Sequence, residues 1–194
     1  MEQNFFAIIS KKVITTVIAI GSMFYSTIDG VNASFTEIDY YSRGQQLYFT
    51  TSLTNCFTED LELIFASGEE IQIYFLYEIV QNENQEIIHS DTLYHSIRYS
   101  PVDQLYSIYY SEHQNRFRFE SIEKAKSNLV ALNEVLITPI NKLQNENAYY
   151  LNLSAWMGTV KIAGMEERLT LMYYWNSIKP EMKSTIFVKS ELQK

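Results

Sequence analysis

Between Ile71 and Val80 the chain alternates without a break. Ile71, Ile73, Phe75, Tyr77 and Ile79 fall on one side of an extended backbone, and Gln72 and Glu78 share the other with Tyr74 and Leu76. A period of two held over this length demands a strand with one face in a core, and it excludes an amphipathic helix. Gln81-Asn82-Glu83-Asn84-Gln85 then supplies a polar turn, and Glu86–Tyr99 returns as a second long strand. The centre of the chain is therefore expected to be an antiparallel hairpin.

The flanking segments extend that pattern. Gln46–Leu53 alternates, with Leu47, Phe49 and Leu53 opposite Gln46, Tyr48, Thr50 and Ser52. A short helix is expected over Thr58–Ala66, with Thr58 as N-cap, acids in the first turn and Gly68 as a stop. Ser100–Asp103 turns the chain into a strand at Gln104–Tyr110, and Arg116–Phe119 makes another with its arginines outward. Ser121 caps a second helix, whose apolar residues Ile122, Ala125, Leu129, Leu132 and Leu136 recur at steps of three and four until Pro139 closes it. Asn147–Ala155 and Thr159–Ala163 alternate as strands. Met165–Ser177 is assigned to a helix on the spacing of Met165, Leu169, Met172 and Tyr173, although its aromatic content also suits a strand. Ser184–Lys189 is the last strand, ahead of a charged, frayed tail. The fold class that follows is mainly β or α+β, an antiparallel β-sandwich-like domain with two or three helices.

The amino terminus carries a different signal. Lys11 and Lys12 precede an uncharged apolar stretch from Val13 to Ile28, and Val31-Asn32-Ala33 places small or modest residues where a signal peptidase cuts. At 1.5 Å per residue the stretch spans roughly 24 Å, short of a hydrocarbon core of about 30 Å. The expectation is a signal peptide over 1–33 and a single strand-rich extracytoplasmic domain over 34–194. The alternative is an uncleaved signal-anchor, with residues 13–28 holding the domain on the inner membrane and the lysines inside. Either way the domain is expected in the periplasm or otherwise outside the cytoplasm.

Composition narrows the function. With 46% hydrophobic residues, 6 glycines and 3 prolines, the chain has a full core and no linker-like tract. A net charge of −8 removes the cationic surface that nucleic acid or anionic lipid requires. Nucleic acid is therefore excluded as a partner, and the membrane is reached only through an uncleaved amino-terminal segment. The single Cys56 can form no internal disulfide, so an exported chain must be stabilised by burial in the manner of a bacterial envelope protein, and the thiol is expected buried and inert.

The order of these elements carries a resemblance. The exported amino terminus is followed by the Leu47-x-Phe49 strand, a short acidic helix ending near Gly68 and a long aromatic hairpin. A Tyr-rich strand then precedes Phe119-Glu120-Ser121-Ile122-Glu123-Lys124-Ala125, and Leu151-x-Leu153 completes the order. Over roughly residues 45–190 the chain resembles an uncharacterised family of exported bacterial proteins, domain of unknown function 4390. The resemblance implies compartment and fold class, and it brings no activity, cofactor or catalytic residue.

Three features bear on chemistry. His89, Asp91 and His95 share one parity along Glu86–Tyr99, but the two histidines lie about 20 Å apart along a strand and cannot grip one ion, so a solvated sheet face is the expectation. His113, in the polar turn Ser111–Asn115, is expected at the surface. Ser121-Ile122-Glu123-Lys124 matches Ser-x-x-Lys in letter, yet a capping serine explains it and the companion motifs are missing. Tyr40-Tyr41, Tyr109-Tyr110, Tyr149-Tyr150 and Tyr173-Tyr174-Trp175 place adjacent rings on opposite faces of strands, one inward and one outward. No catalytic, cofactor-binding or metal-binding residue is nominated. The expected function is non-catalytic: an envelope domain that binds another envelope protein, or serves in assembly or sensing. The alternatives are a small-molecule or lipid-binding module and, third, an enzyme with an unrecognised site.

Overall fold

The computed structural model describes residues 29–162 and 166–193. The signal sequence expected over 1–33 therefore lies outside the described residues as far as residue 28, as do Ala163, Gly164 and Met165.

The central hairpin forms as its alternation requires. Strand β4 (Ile71–Gln81) pairs with β5 (Ile87–Ser100), with Ile73 opposite His95 and Tyr77 opposite Asp91. Strands β6 (Leu105–Tyr110) and β7 (Asn115–Phe119) extend the meander on one side. Strand β9 (Ala148–Met157) pairs with the other side of β4, and β12 (Glu181–Lys183) and β13 (Phe187–Val188) follow the outer edge of β9. A second antiparallel sheet is built around β3 (Gln46–Thr54), with β1 (Ser34–Phe35) and β2 (Asp39–Arg43) on one edge and β8 (Ala131–Pro139) on the other. A two-stranded piece joins β10 (Thr159–Val160) to β11 (Leu169–Thr170).

The two large sheets bury their alternating faces in one core. Leu47, Phe49 and Leu53 of β3 belong to the same cluster as Ile73, Phe75 and Tyr77 of β4 and Leu151 and Leu153 of β9. The rings of Phe49 and Tyr77 lie 5.5 Å apart, tying one sheet to the other. This is the mainly antiparallel β, sandwich-like architecture with helices that the patterning demands. Helix α1 (Glu59–Phe65) buries Leu61, Ile64 and Phe65, and Thr58 caps it by accepting a hydrogen bond from the Leu61 amide at 3.1 Å. Helix α2 (Ile122–Leu129) starts on Ser121 and packs Ala125 and Leu129 against β5, β6 and β7.

Four expectations are corrected. The second helix stops at Leu129, and 131–139 is β8 rather than its continuation to Leu136. Asn133 and Glu134 together oppose Thr50 in a bulge, with Glu134 in left-handed backbone at φ 52°. The extra residue turns a period of two into local steps of three, which imitates a helix in the sequence. Secondly, 165–177 contains no α-helix among its described residues: β11 leads into a single 3-10 segment, Leu171–Trp175, which ends where Asn176 adopts φ 50°. Leu171, Tyr174 and Trp175 keep helical spacing but face the core for only this one turn. Thirdly, the last strand is divided, because between β12 and β13 the Ser184 hydroxyl accepts from the Leu151 amide at 2.9 Å in place of a ladder bond. Finally, the tail is not frayed as far as it is described. Residues 189–193 make a 3-10 turn, Leu192 is buried, and the Ser42 hydroxyl donates to its carbonyl.

Candidate functional site

The most developed site lies where β6, β7, α2 and β8 converge. Tyr110 ends β6, the turn Ser111–Gln114 follows, and Phe117 and Phe119 come from β7. Together with Glu112, His113 and Asn133 they line an open cleft of about 310 Å³. Phe117, half of whose surface is exposed, forms the lip, and its ring meets Tyr110 edge-on at 5.7 Å.

Behind the cleft sits a buried polar pair. His95 is fully buried, contrary to the solvated face expected for His89, Asp91 and His95. That parity also carries Leu93 and Ile97, so it is the core face of β5, and of the three residues His89, Asp91 and His95 only Asp91 is exposed. His95 Nδ1 lies 2.8 Å from the Leu129 carbonyl, a contact in which the imidazole must donate. His95 Nε2 lies 2.9 Å from Glu112 Oε1. With Nδ1–H committed to Leu129, that second contact is a hydrogen bond only when a proton lies between the two groups.

Burial works to raise the Glu112 carboxyl, but the hydrogen bond and charge of His95 outweigh it and hold the group below its ordinary range. Its other oxygen, Oε2, is buried and has no hydrogen-bond partner among the described residues. Tyr110 packs edge-on against the His95 ring at 4.6 Å and donates its hydroxyl to the Asn128 carbonyl at 3.2 Å. Burial, with Glu112 as the smaller cause, pushes the Tyr110 phenol up to about 12, so it stays a donor.

His89 and Asp91 lie at the far end of β5, beside Tyr77. The Tyr77 hydroxyl is 3.4 Å from Asp91 Oδ2 and 3.3 Å from the Leu136 carbonyl. Burial and, secondarily, Lys142 lower the His89 imidazole, and its Nε2 is buried without a partner among the described residues. The structure does not bring His89 and His95 together, and among the described residues no three His, Cys, Asp or Glu side chains gather to hold a metal ion. His113 is exposed in its turn, as expected, and Ser121 caps α2. Sequence reasoning missed Glu112: nothing in Ser111-Glu112-His113-Gln114-Asn115 marks one acid of a polar turn as turned inward.

The opposite face of the same sheet carries the second feature. Trp156 of β9, Tyr74 of β4, Tyr94 of β5 and Tyr109 of β6 form one continuous ladder of rings. Their successive centroids are 5.4, 5.9 and 5.8 Å apart. Lys179 Nζ lies 5.1 Å from the Trp156 ring at one end, and the Arg116 guanidinium 5.6 Å from Tyr109 at the other. Direct register produces it, since Tyr74 is paired with both Trp156 and Tyr94, and Tyr109 with Arg116. Of the adjacent aromatic pairs, Tyr109 and Tyr110 serve the two faces as expected. Tyr149 and Tyr150 also alternate along β9, but neither ring is left outward: Tyr149 joins the core, and Tyr150 is buried beside Lys183 and Gln85.

Fold and site together define a class: a two-sheet antiparallel β domain with a small aromatic cleft at one end. Within that class the chain belongs to a family catalogued as a domain of unknown function, DUF4390, whose family model matches residues 31–175. The match begins and ends earlier than the span of resemblance read from the sequence, and leaves β12 and β13 beyond it. No curated protein and no solved structure matches the chain.

Proposed function

We propose that this is an exported, non-catalytic domain that works outside the cytoplasm by binding another envelope protein. The observation that carries the reading is the aromatic ladder. Aromatic rings with polar tips are the residues most enriched at protein interfaces, and here four of them stand in one line across four strands, closed at both ends by a cation. Trp156 and Tyr74 stack with their planes 9° apart, the next two pairs are tilted by 43°, and all four rings are half-buried, so each keeps part of its surface for a partner. The apolar stretch after Lys11 and Lys12 supports export. The acidic balance of the chain speaks against nucleic acid as the partner.

The test is in-cell cross-linking of the carboxy-terminally tagged protein in its native host, with mass spectrometry of the captured species, beside a Trp156→Ala/Tyr94→Ala variant shown by circular dichroism to be folded. Reproducible capture of one envelope protein, lost in the variant, is the expected result. Capture of nothing specific, or capture indifferent to the variant, overturns the reading.

A further inference from the structure

We infer that the cleft between β7 and α2 is a binding site for an organic cation, an ammonium or guanidinium head on an aliphatic stem. Three observations converge on that chemistry. The cleft is walled by the rings of Tyr110, Phe117 and Phe119, whose π faces attract a cation when water is excluded. One wall is Glu112, and its Oε2 is a buried acceptor that no group among the described residues satisfies, so a ligand N–H supplies the missing hydrogen bond. The volume, about 310 Å³, accommodates one extended side chain or a small amine and no more.

Glu112 is also unable to turn away, because Oε1 is held on His95 and His95 in turn on the Leu129 carbonyl. The acceptor is thus fixed before any ligand arrives, and little ordering entropy is lost on binding. A neutral ligand would form at best an ordinary hydrogen bond to Oε2 and would leave the Glu112 carboxylate uncompensated, which gives the site its selectivity for a cation. Arg118, the nearest arginine along β7, has the opposite parity to Phe117 and Phe119 and does not compete for the cleft from within the strand. Among the described residues, His113 is the only other ionisable group in the cleft wall besides Glu112 and Tyr110.

The cleft and the ladder lie on opposite faces of the sheet, Tyr110 and Phe117 on one and Tyr109 and Arg116 on the other, so the two proposals stand or fall separately. The probe is agmatine, titrated into the full domain and followed by amide shifts in ¹H–¹⁵N spectra. Saturable shifts confined to 110–119 and 128–133 are expected. Butylurea, the uncharged analogue, and the variant Glu112→Gln should each weaken binding roughly ten-fold or more. Phe117→Ala, at a half-exposed ring, should weaken it several-fold with the fold intact. The peptide acetyl-Ala-Arg-Ala-amide distinguishes the source: binding at least as tight as agmatine assigns a partner's arginine, and weaker binding assigns a free amine. Trp156→Ala should leave agmatine binding unchanged. Absence of saturable shifts, or equal affinity for agmatine and butylurea, overturns the proposal.

Discussion

His95 Nε2 stands 2.9 Å from Glu112 Oε1 while His95 Nδ1 is bonded to the Leu129 carbonyl, so one imidazole joins the end of α2 to the turn between β6 and β7. The two partners of the ring are not equally replaceable. His95→Ala leaves both a carbonyl and a carboxylate buried without a donor, and should cost about 3 kcal/mol of unfolding free energy. Glu112→Gln keeps the contact, since the Gln amide can donate to Nε2 of the Nδ1–H tautomer, and should cost about 1 kcal/mol. Urea unfolding followed by tryptophan fluorescence checks the order. A Glu112→Gln loss as large as that of His95→Ala would show that the bridge is not what holds the turn.

Because the folded structure holds the Glu112 carboxyl below its ordinary value, the pair's contribution has a defined pH dependence. It is fully present above the unfolded carboxyl value of about 4.3. It is lost as pH falls through the lower folded value, where protonation removes the carboxylate from His95. The stability difference between wild type and Glu112→Gln should therefore shrink as the pH falls below the ordinary carboxyl range. Subtracting the variant removes the contributions of the other carboxylates, and His113 and Tyr110, which share the cleft, are common to both chains. A difference that grows in acid would reverse the sign of the argument.

Cys56 is buried, and burial pushes its thiol up to about 12. Thiolate is the reactive form, so the native protein should not react measurably with a thiol reagent at neutral pH, and modification should proceed only as fast as the chain opens. The rate should rise with urea in step with unfolding. Rapid native-state labelling would place the thiol outside the core, and with it the Cys56 carbonyl that accepts the Trp175 indole N–H at 2.8 Å.

Strands with strict alternation were the most legible part of the fold. β3, β4 and β5 lie within a residue or so of where their periodicity puts them, because one face stays largely apolar over most of each strand, and the bulges opposite β3 and at the end of β4 leave that alternation legible. Legibility failed at β8 and at 165–177 for a shared reason: Leu132 and Leu136 across a bulge, and Leu169, Met172 and Tyr173 at the 3-10 turn, recur at steps of three and four over a length too short to be a helix. The candidate site was visible only in its pieces. His95 attracted notice as a polar residue within a strand, and the aromatic pairs as a compositional excess. Neither Glu112 as the partner of His95 nor the line from Trp156 to Tyr109 follows from local pattern, since both depend on how neighbouring strands are brought into register, and Trp156 joins Tyr74 from a strand far along the chain.

The segment just after the apolar stretch sharpens the question of processing. Val31 donates its amide to the Tyr174 carbonyl at 3.0 Å, the Asn32 carbonyl accepts from Asn55 at 3.0 Å, and the Asn32 side chain accepts from Asn176 at 2.7 Å. Val31 and Ala33 also pack against the core. A cut after Ala33 would strip away all of these contacts, and at about 1 kcal/mol for each hydrogen bond the domain should lose roughly 2–3 kcal/mol. Gly30 tightens the same corner: a Cβ there would stand 2.6 Å from the Tyr173 carbonyl oxygen, which is backbone and cannot swing aside. Gly30→Ala should therefore be destabilising on its own. A chain beginning at Asp29 is expected to unfold at a distinctly higher urea concentration than one beginning at Ser34. Equal midpoints would show that residues 29–33 are dispensable to the fold and leave Ala33 free as a processing site.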